Sequence, residues 1–328
     1  MTELLLNNIW LTAVLIVVGF VLLVYGADWL VDGASAVAKR FGISDLVIGL
    51  TVVAFGTSMP EFVVNMVSVA EGSTDLAITN VLGSNIINTL VILGLTALVY
   101  PIASQKRSRD FDIPLSIIAG VIVFAAVTIQ LPMEQTRGID RVGGILLMLL
   151  FAYFLYNTFR HAKEHPEDAE ATAVKPMTLA KAIMLILLGF IGLVLGGEMI
   201  VKSAVSIATR CGVSEAIIGL TIVALGTSLP ELATSVMAAF RHNGDIAMGN
   251  VIGSNIFNVF FILGTSATIH PLPAYDGIEL DAWIVALGSI IVWMAVKTNR
   301  ERKLPRWAGA LLLLIYIVYL TYRLVALG

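Results

Sequence analysis

The chain has 328 residues, of which 58% are hydrophobic and 13% charged, with a mean hydropathy of +0.92. These values lie far from the average of soluble globular domains and mark an integral membrane protein. The net charge of -3 says little about partners, and the single cysteine, Cys211, excludes an intrachain disulfide and most cysteine metal sites.

A helix needs about 20 apolar residues to cross a bilayer. Runs of that kind predict ten spans, at roughly 9–36, 44–70, 76–100, 111–131, 140–160, 179–207, 214–240, 245–270, 279–297 and 307–326. The first run has neither a basic segment before it nor a small-residue cleavage site after it, so it reads as a retained span and not as a signal peptide. Asp28, Asp32 and Glu198 fall inside spans. Trp29 and Lys39 place the first two near an interface, and Glu198 has Lys202 at i+4, so a structural role is expected for all three.

The second span carries GLTVVAFGTSMPE from Gly49, and the seventh repeats it as GLTIVALGTSLPE from Gly219. In each copy a proline, Pro60 or Pro230, lacks the backbone N–H and crowds the preceding turn. The helix is therefore expected to break there and free carbonyl oxygens. Thr57 and Ser58 stand at i−4 and i−3 from Glu61, which puts two hydroxyls and a carboxylate on adjoining parts of one surface; Thr227, Ser228 and Glu231 repeat this. A carboxylate at bilayer depth costs at least about 2.5 kcal/mol on insertion scales, so two at equivalent places point to function. The third span adds Asn80, Ser84 and Asn88 at successive i+4 steps, matched in the eighth by Asn250, Ser254 and Asn258.

The offset of 170 residues holds along the whole chain, pairing Gly19 with Gly189, Gly26 with Gly196, Gly42 with Gly212, Gly83 with Gly253 and Pro101 with Pro271. Two repeats of five spans follow, 1–160 and 179–328, joined by the polar linker 161–178 in one integrated transport domain. An odd number of spans per repeat makes the second copy enter the membrane in the opposite sense, the inverted plan of secondary transporters. The predicted fold is all-α, with broken helices 2 and 7. Interfaces rich in Gly, Ala and Ser, such as 33–35 and 192–197, suit close helix packing.

The ligand inventory is carboxylate, hydroxyl, amide and carbonyl oxygen, which suits hard cations such as sodium and calcium better than zinc or copper. Residues 41–105 and 242–296 contain no Lys or Arg, and Arg241 sits at a loop. Bound cations or protons must therefore balance Glu61 and Glu231. Of the 20 basic residues, all but Arg137, Arg141, Lys202, Arg210 and Arg323 fall on one face if the N-terminus is outside. That distribution predicts a multi-pass protein of the cell inner membrane, both termini outside and the linker cytoplasmic.

At the two GTS(M/L)PE segments and the two GSNI(I/F)N segments the chain resembles the sodium/calcium exchanger family of the cation/calcium antiporters, in its short prokaryotic form. The motifs occur twice in register, and the ten-span plan covers the full length. The resemblance implies that Glu61 and Glu231 are the central calcium ligands. Thr57, Ser58, Thr227 and Ser228, the main-chain oxygens of Ala54 and Ala224, and the hydroxyls of Ser84 and Ser254 would complete the calcium and flanking sodium sites. Asn88 and Asn258 match a polar position facing the centre, and several relatives carry aspartate where this chain has Asn258. For Asn80, Asn250, Asn85 and Asn255 helix-to-helix hydrogen bonding is an equal alternative.

The function that follows is antiport of sodium against calcium by alternating access, with sodium entry driving calcium out and spans 1 and 6 gating. Calcium/proton exchange, with protons loading the carboxyls in place of sodium, is the alternative within that class. A channel would need a continuous pore. An enzyme would need a nucleophile and base, yet His161, His165, His242 and His270 all lie in or near loops. No cofactor is expected; calcium, sodium and the bilayer are the partners, and the oligomeric state is not specified by the sequence.

Overall fold

The computed structural model describes residues 9–129, 137–165, 177–212, 224–275 and 277–327. It is a bundle of helices in the order α1 (Ile9–Phe41), α2 (Asp45–Thr57), α3 (Met59–Ala70), α4 (Thr74–Val99), α5 (Ser108–Thr128) and α6 (Arg141–Glu164). The second half contributes α7 (Leu179–Arg210), α8 (Ala224–Thr227), α9 (Leu229–Phe240), α10 (Gly244–Ile269), α11 (Ile278–Thr298) and α12 (Arg306–Leu327). Eight of these are long and apolar enough to cross a membrane, and α2 with α3 makes a further, bent span. The seventh predicted span is represented by α8 and α9. Its first part, 213–223, lies outside the described residues, as does most of the linker, 166–176.

Local chemistry sets the helix ends. The Ser44 and Asp140 side chains accept from the Val47 and Gly143 N–H groups, and Thr178 and Asn243 do the same for Lys181 and Ile246. Gly42 and Gly212 close α1 and α7 at φ 63° and 76°, a left-handed turn that glycine enters without strain. Two short antiparallel ladders tie the ends together on opposite faces. β1 (Ile102–Ala103) pairs with β4 (Lys303–Leu304), and β2 (Gly138–Ile139) pairs with β3 (Leu272–Pro273). The face with Phe41, β1, β4, His165 and Arg241 is the linker face; that with Ala70, β2, β3 and Arg210 is the termini face.

The inverted arrangement is visible in the packing of α1 on α7. Gly19 lies against Gly196, Gly26 against Gly189 and Gly33 against Ala182, so the helices run antiparallel. A Cβ on Gly26 would sit 2.9 Å from the Gly189 carbonyl oxygen, and one on Gly196 2.6 Å from that of Gly19. Only glycine permits backbones this close, and in a lipid environment such contact is a main source of helix association. The centre belongs to α4 and α10, buried over 83% and 94% of their apolar windows against 22% for α1. Each widens into a π-helical turn at equivalent places, Ile87–Ile92 and Phe257–Leu263. Such turns leave helix carbonyls loosely partnered and recur at functional sites.

Candidate cation site

Pro60 and Pro230 break their spans as the sequence requires. The bend between α2 and α3 is 46°. Its hinge is Ser58 at φ −85°, ψ 7°, and Ser228 adopts nearly the same values, φ −88°, ψ 6°. The break therefore precedes the proline by two residues, and the proline opens the new helix, where its missing N–H costs nothing. One consequence is electrostatic. Glu61 and Glu231 occupy the first turns of α3 and α9, where the partial positive charge of a helix N-terminus favours an anion.

Both carboxylates are fully buried. The hydroxyls that reach them come from both repeats: Ser58 Oγ donates to Glu231 Oε1 at 2.8 Å, and Ser228 Oγ donates to Glu61 Oε1 at 3.4 Å. From the central helices, Ser84 Oγ donates to Glu61 Oε1 at 3.4 Å and Ser254 Oγ to Glu231 Oε1 at 3.5 Å. Oε1 of each residue is thus held, while Oε2 of each is buried with no hydrogen-bond partner among the described residues. Buried polar atoms without partners are rare in folded proteins. Two symmetry-related carboxylate oxygens in that condition leave room at one place for a cation or a proton.

Around this centre Thr57 Oγ1 donates to Asn250 Oδ1 at 3.1 Å, whereas Thr227 Oγ1 is buried and unpartnered. The Ala54 carbonyl accepts the Ser58 N–H at 3.1 Å, and Ala224 begins α8 at the corresponding place. Asn88 lies buried in α4 with both amide atoms unpartnered; Asn258 in α10 donates to Asn85 Oδ1 at 3.0 Å and leaves its own Oδ1 free.

The remaining asparagines hold helices together. Asn80 Nδ2 donates to Asn65 Oδ1 at 2.7 Å and to the Glu61 carbonyl at 3.4 Å; Asn250 Nδ2 donates to Ser235 Oγ at 2.9 Å and to the Glu231 carbonyl at 3.3 Å. Asn85 Nδ2 donates to the Asn255 carbonyl at 3.2 Å, and Asn255 Nδ2 to Thr89 Oγ1 at 2.8 Å, joining α4 to α10 at the centre of the repeat. Asn65 and Ser235 were not singled out from the sequence. They follow Glu61 and Glu231 by four residues, so extending the Thr57–Glu61 stripe one turn would have found them.

No basic side chain is hydrogen-bonded or ion-paired to either glutamate among the described residues. Arg241 is engaged elsewhere, forming ion pairs with both Asp28 and Asp32 of α1, and Lys202 pairs with Glu198 one turn away on α7. The acids in spans 1 and 6 are therefore ion-paired, and the partner of Asp28 and Asp32 is Arg241.

A cavity of about 420 Å³ lies on the termini side of the site and touches it at Thr227. It runs between α7 and the α3, α8 and α9 segments, with Glu198, Lys202, Met59, Pro60 and Thr227 in its wall. The equivalent region on the linker face is filled. There Leu23, Ala27, Leu30 and Val31 of α1 pack with Leu229, Ala233 and Met237 of α9. A larger apolar groove of about 690 Å³ between α5 and α6 contains none of the site residues and opens beside the exposed Ile129 and Val142.

The model of the sodium/calcium exchanger protein family matches the chain over residues 11–160 and again over 181–325, one match per repeat. The inner membrane protein YrbG of Escherichia coli is 35% identical over 315 residues, covering 94% of this chain and 96% of that protein. The sodium/calcium exchanger MaX1 of Methanosarcina acetivorans is 31% identical over 340 residues, covering 93% and 96% respectively. A solved structure of the sodium-calcium exchanger NCX_Mj superposes with a TM-score of 0.82 at 31% identity, covering 96% of this chain and 99% of that one. Two inverted repeats, a carboxylate in each at a proline break, and a family match over both halves place this chain in the sodium/calcium exchanger protein family, a family of transporters and not of enzymes.

Proposed function

We propose that this antiporter exchanges sodium for calcium at a single site centred on Glu61 and Glu231, with sodium entry driving calcium out. The observation that carries the reading is the pair of buried, unpartnered Oε2 atoms in a shell of hydroxyl and amide oxygens with no basic residue bonded to them. Two carboxylates are neutralised by one calcium ion or by several sodium ions, so the two substrates compete for one cluster and competition couples their movement. Ser58, Ser228, Ser84 and Ser254 already touch the carboxylates, and Thr57, Thr227 and the carbonyls of Ala54 and Ala224 flank them as sodium ligands. Asn88 and Asn258 line the centre between the two halves. The amide at 258 does not titrate, so protons driving exchange would have to load Glu61 or Glu231 themselves.

The repeats 1–160 and 179–328 act as one transport domain with the linker 161–178 in the cytoplasm, and the termini face lies outside. The cavity between α7 and α3 then opens outward, and the packed α1–α9 contact closes the inner path. Flux of radiolabelled calcium in proteoliposomes tests the ion pair. Uptake driven by an imposed sodium gradient and insensitive to a proton gradient is expected; uptake driven by protons alone would replace sodium with protons in the scheme. Cys211, exposed on the termini face, tests orientation: an impermeant thiol reagent added outside cells should label it. It should not label a cysteine at Lys303→Cys in a Cys211→Ala background.

A further inference from the structure

The two repeats are related by an offset of 170 residues, yet their gating ends differ in which contacts are made. On the linker face Arg241, at the end of α9, bridges Asp28 and Asp32 of α1. The same offset carries Asp28 to Glu198, Asp32 to Lys202 and Arg241 to Glu71. On the termini face the counterpart contact is open. Lys202 turns to Glu198 within its own helix, and exposed Glu71 at the end of α3 has no ion pair among the described residues. The charges are exchanged between the partners but remain complementary: acids on α1 meet a base on α9, and the offset matches them with a base on α7, Lys202, and an acid after α3, Glu71.

The apolar contacts beside these groups show the same asymmetry. The Phe190 ring of α7 fills the space beside Gly56, where an added Cβ would lie 1.9 Å from it, while Gly226 is filled by Val201, 2.3 Å from an added Cβ. Phe20, the counterpart of Phe190, is 53% exposed and Val31, the counterpart of Val201, is buried. A molecule whose halves exchange roles would reverse each of these statements.

We propose that Arg241 with Asp28 and Asp32, and Lys202 with Glu71, are alternating ion-pair latches. The first closes the linker face in the state described here. The second closes the termini face in the opposite state, when Lys202 leaves Glu198 for Glu71 and Arg241 releases α1. The proposal rests on the alternating-access reading but not on which ions are carried. Each latch is partly exposed and therefore weak, which suits a device that must open in every cycle. Its effect is to set the balance between two states, so losing one latch shifts that balance by about two- to fivefold.

The test uses the full-length protein in proteoliposomes, in a Cys211→Ala background with Val63→Cys as a probe in the cavity wall. Labelling by an impermeant thiol reagent is measured with sodium and calcium both absent, so failure of the sodium–calcium assignment leaves the readout intact. Arg241→Gln, on the face opposite the probe, is expected to lower the labelling rate about two- to fivefold, because the termini face closes more often. Adding Glu71→Gln should restore it, since the opposing latch is then also lost. Arg241→Lys, which keeps the charge but not the fork to two carboxylates, should fall between, and checks that the loss is not misfolding. Unchanged labelling in Arg241→Gln would overturn the proposal, as would a double variant that labels no faster than Arg241→Gln alone.

Discussion

The centre of the molecule and its gates obey the same repeat but not the same symmetry. At the centre Ser84 and Ser254 approach the two carboxylates at 3.4 and 3.5 Å, and Asn80 and Asn250 bond the carbonyls of Glu61 and Glu231 at 3.4 and 3.3 Å. At the gates α1 packs tightly on α9, while α7 stands off from α3 and leaves the cavity. The lesson concerns what a duplicated fold conserves. On the proposed exchange mechanism a cation must find equivalent ligands whichever way the site faces, which accounts for symmetry kept in α4 and α10. On the same mechanism access must be one-sided at any instant, which accounts for symmetry broken in α1 and α7.

The sharpest way to break the comparison is to remove one charge from the symmetric centre. Glu61→Gln and Glu231→Gln are each expected to abolish sodium-driven calcium flux to the level of empty liposomes, because the amide keeps the volume but leaves calcium with half its compensating charge. Insertion and monodisperse elution should be unchanged, since neither carboxylate supports another charged group. Near-normal flux in both variants would remove the carboxylate pair from the mechanism.

A smaller effect sharpens the point where the centre itself departs from symmetry. Ser58 donates to Glu231 at 2.8 Å, whereas its counterpart Ser228 donates to Glu61 at 3.4 Å. A hydrogen bond to a charged group contributes about 1.5–3 kcal/mol, and a bond at the longer distance contributes less. Ser58→Ala should therefore weaken apparent calcium affinity from the termini face by about tenfold, and Ser228→Ala by about threefold. Inside-out vesicles should reverse the order, because the halves exchange geometry. Equal effects on both faces would mean that the difference between 2.8 and 3.4 Å carries no functional weight.

Much of this was legible in the sequence for a physical reason. Helical span lengths are fixed by bilayer thickness, the break by proline's missing donor, and the Thr57–Glu61 face by the 3.6-residue period. What the spacing does not encode is contact across the repeats. That Ser58 reaches Glu231 and not Glu61, its neighbour at i+3, depends on how α3 and α9 cross, and it follows only from the assembled bundle. The partner of Asp28 and Asp32 was hidden in the same way. Lys39 is near them in sequence, but Arg241, at the end of a helix from the other half, lies near them in space. The π-helical turns in α4 and α10 left no mark in the pattern, since one extra residue per turn keeps the apolar run intact.

The smallest expected effect concerns position 258, the buried amide of α10 that the proposed ligand set includes. Its Nδ2 is committed to Asn85 and its Oδ1 is unpartnered, so the side chain offers the centre a neutral oxygen. With two carboxylates, the calcium-loaded centre is neutral and a centre holding a third monovalent ion carries net positive charge, so exchange at that ratio moves charge across the membrane. Asn258→Asp adds a carboxyl that can take up a proton or balance that additional charge, depending on its surroundings. Sodium-driven calcium flux in the variant is therefore expected to vary more with pH than in the parent, between about pH 6 and 8, without any new substrate being carried. The membrane potential that develops during exchange should fall at the acid end, where a proton held on the added carboxyl in the calcium-loaded state travels with calcium; at the alkaline end the ionised carboxylate crosses in both legs and leaves the charge moved per cycle unchanged. The Asn85 bond is lost with the amide, so Asn258→Ser, which also loses it but adds no charge, separates the two causes. A pH profile that changes equally in Asn258→Ser and Asn258→Asp would trace the effect to α4–α10 packing and not to the ions.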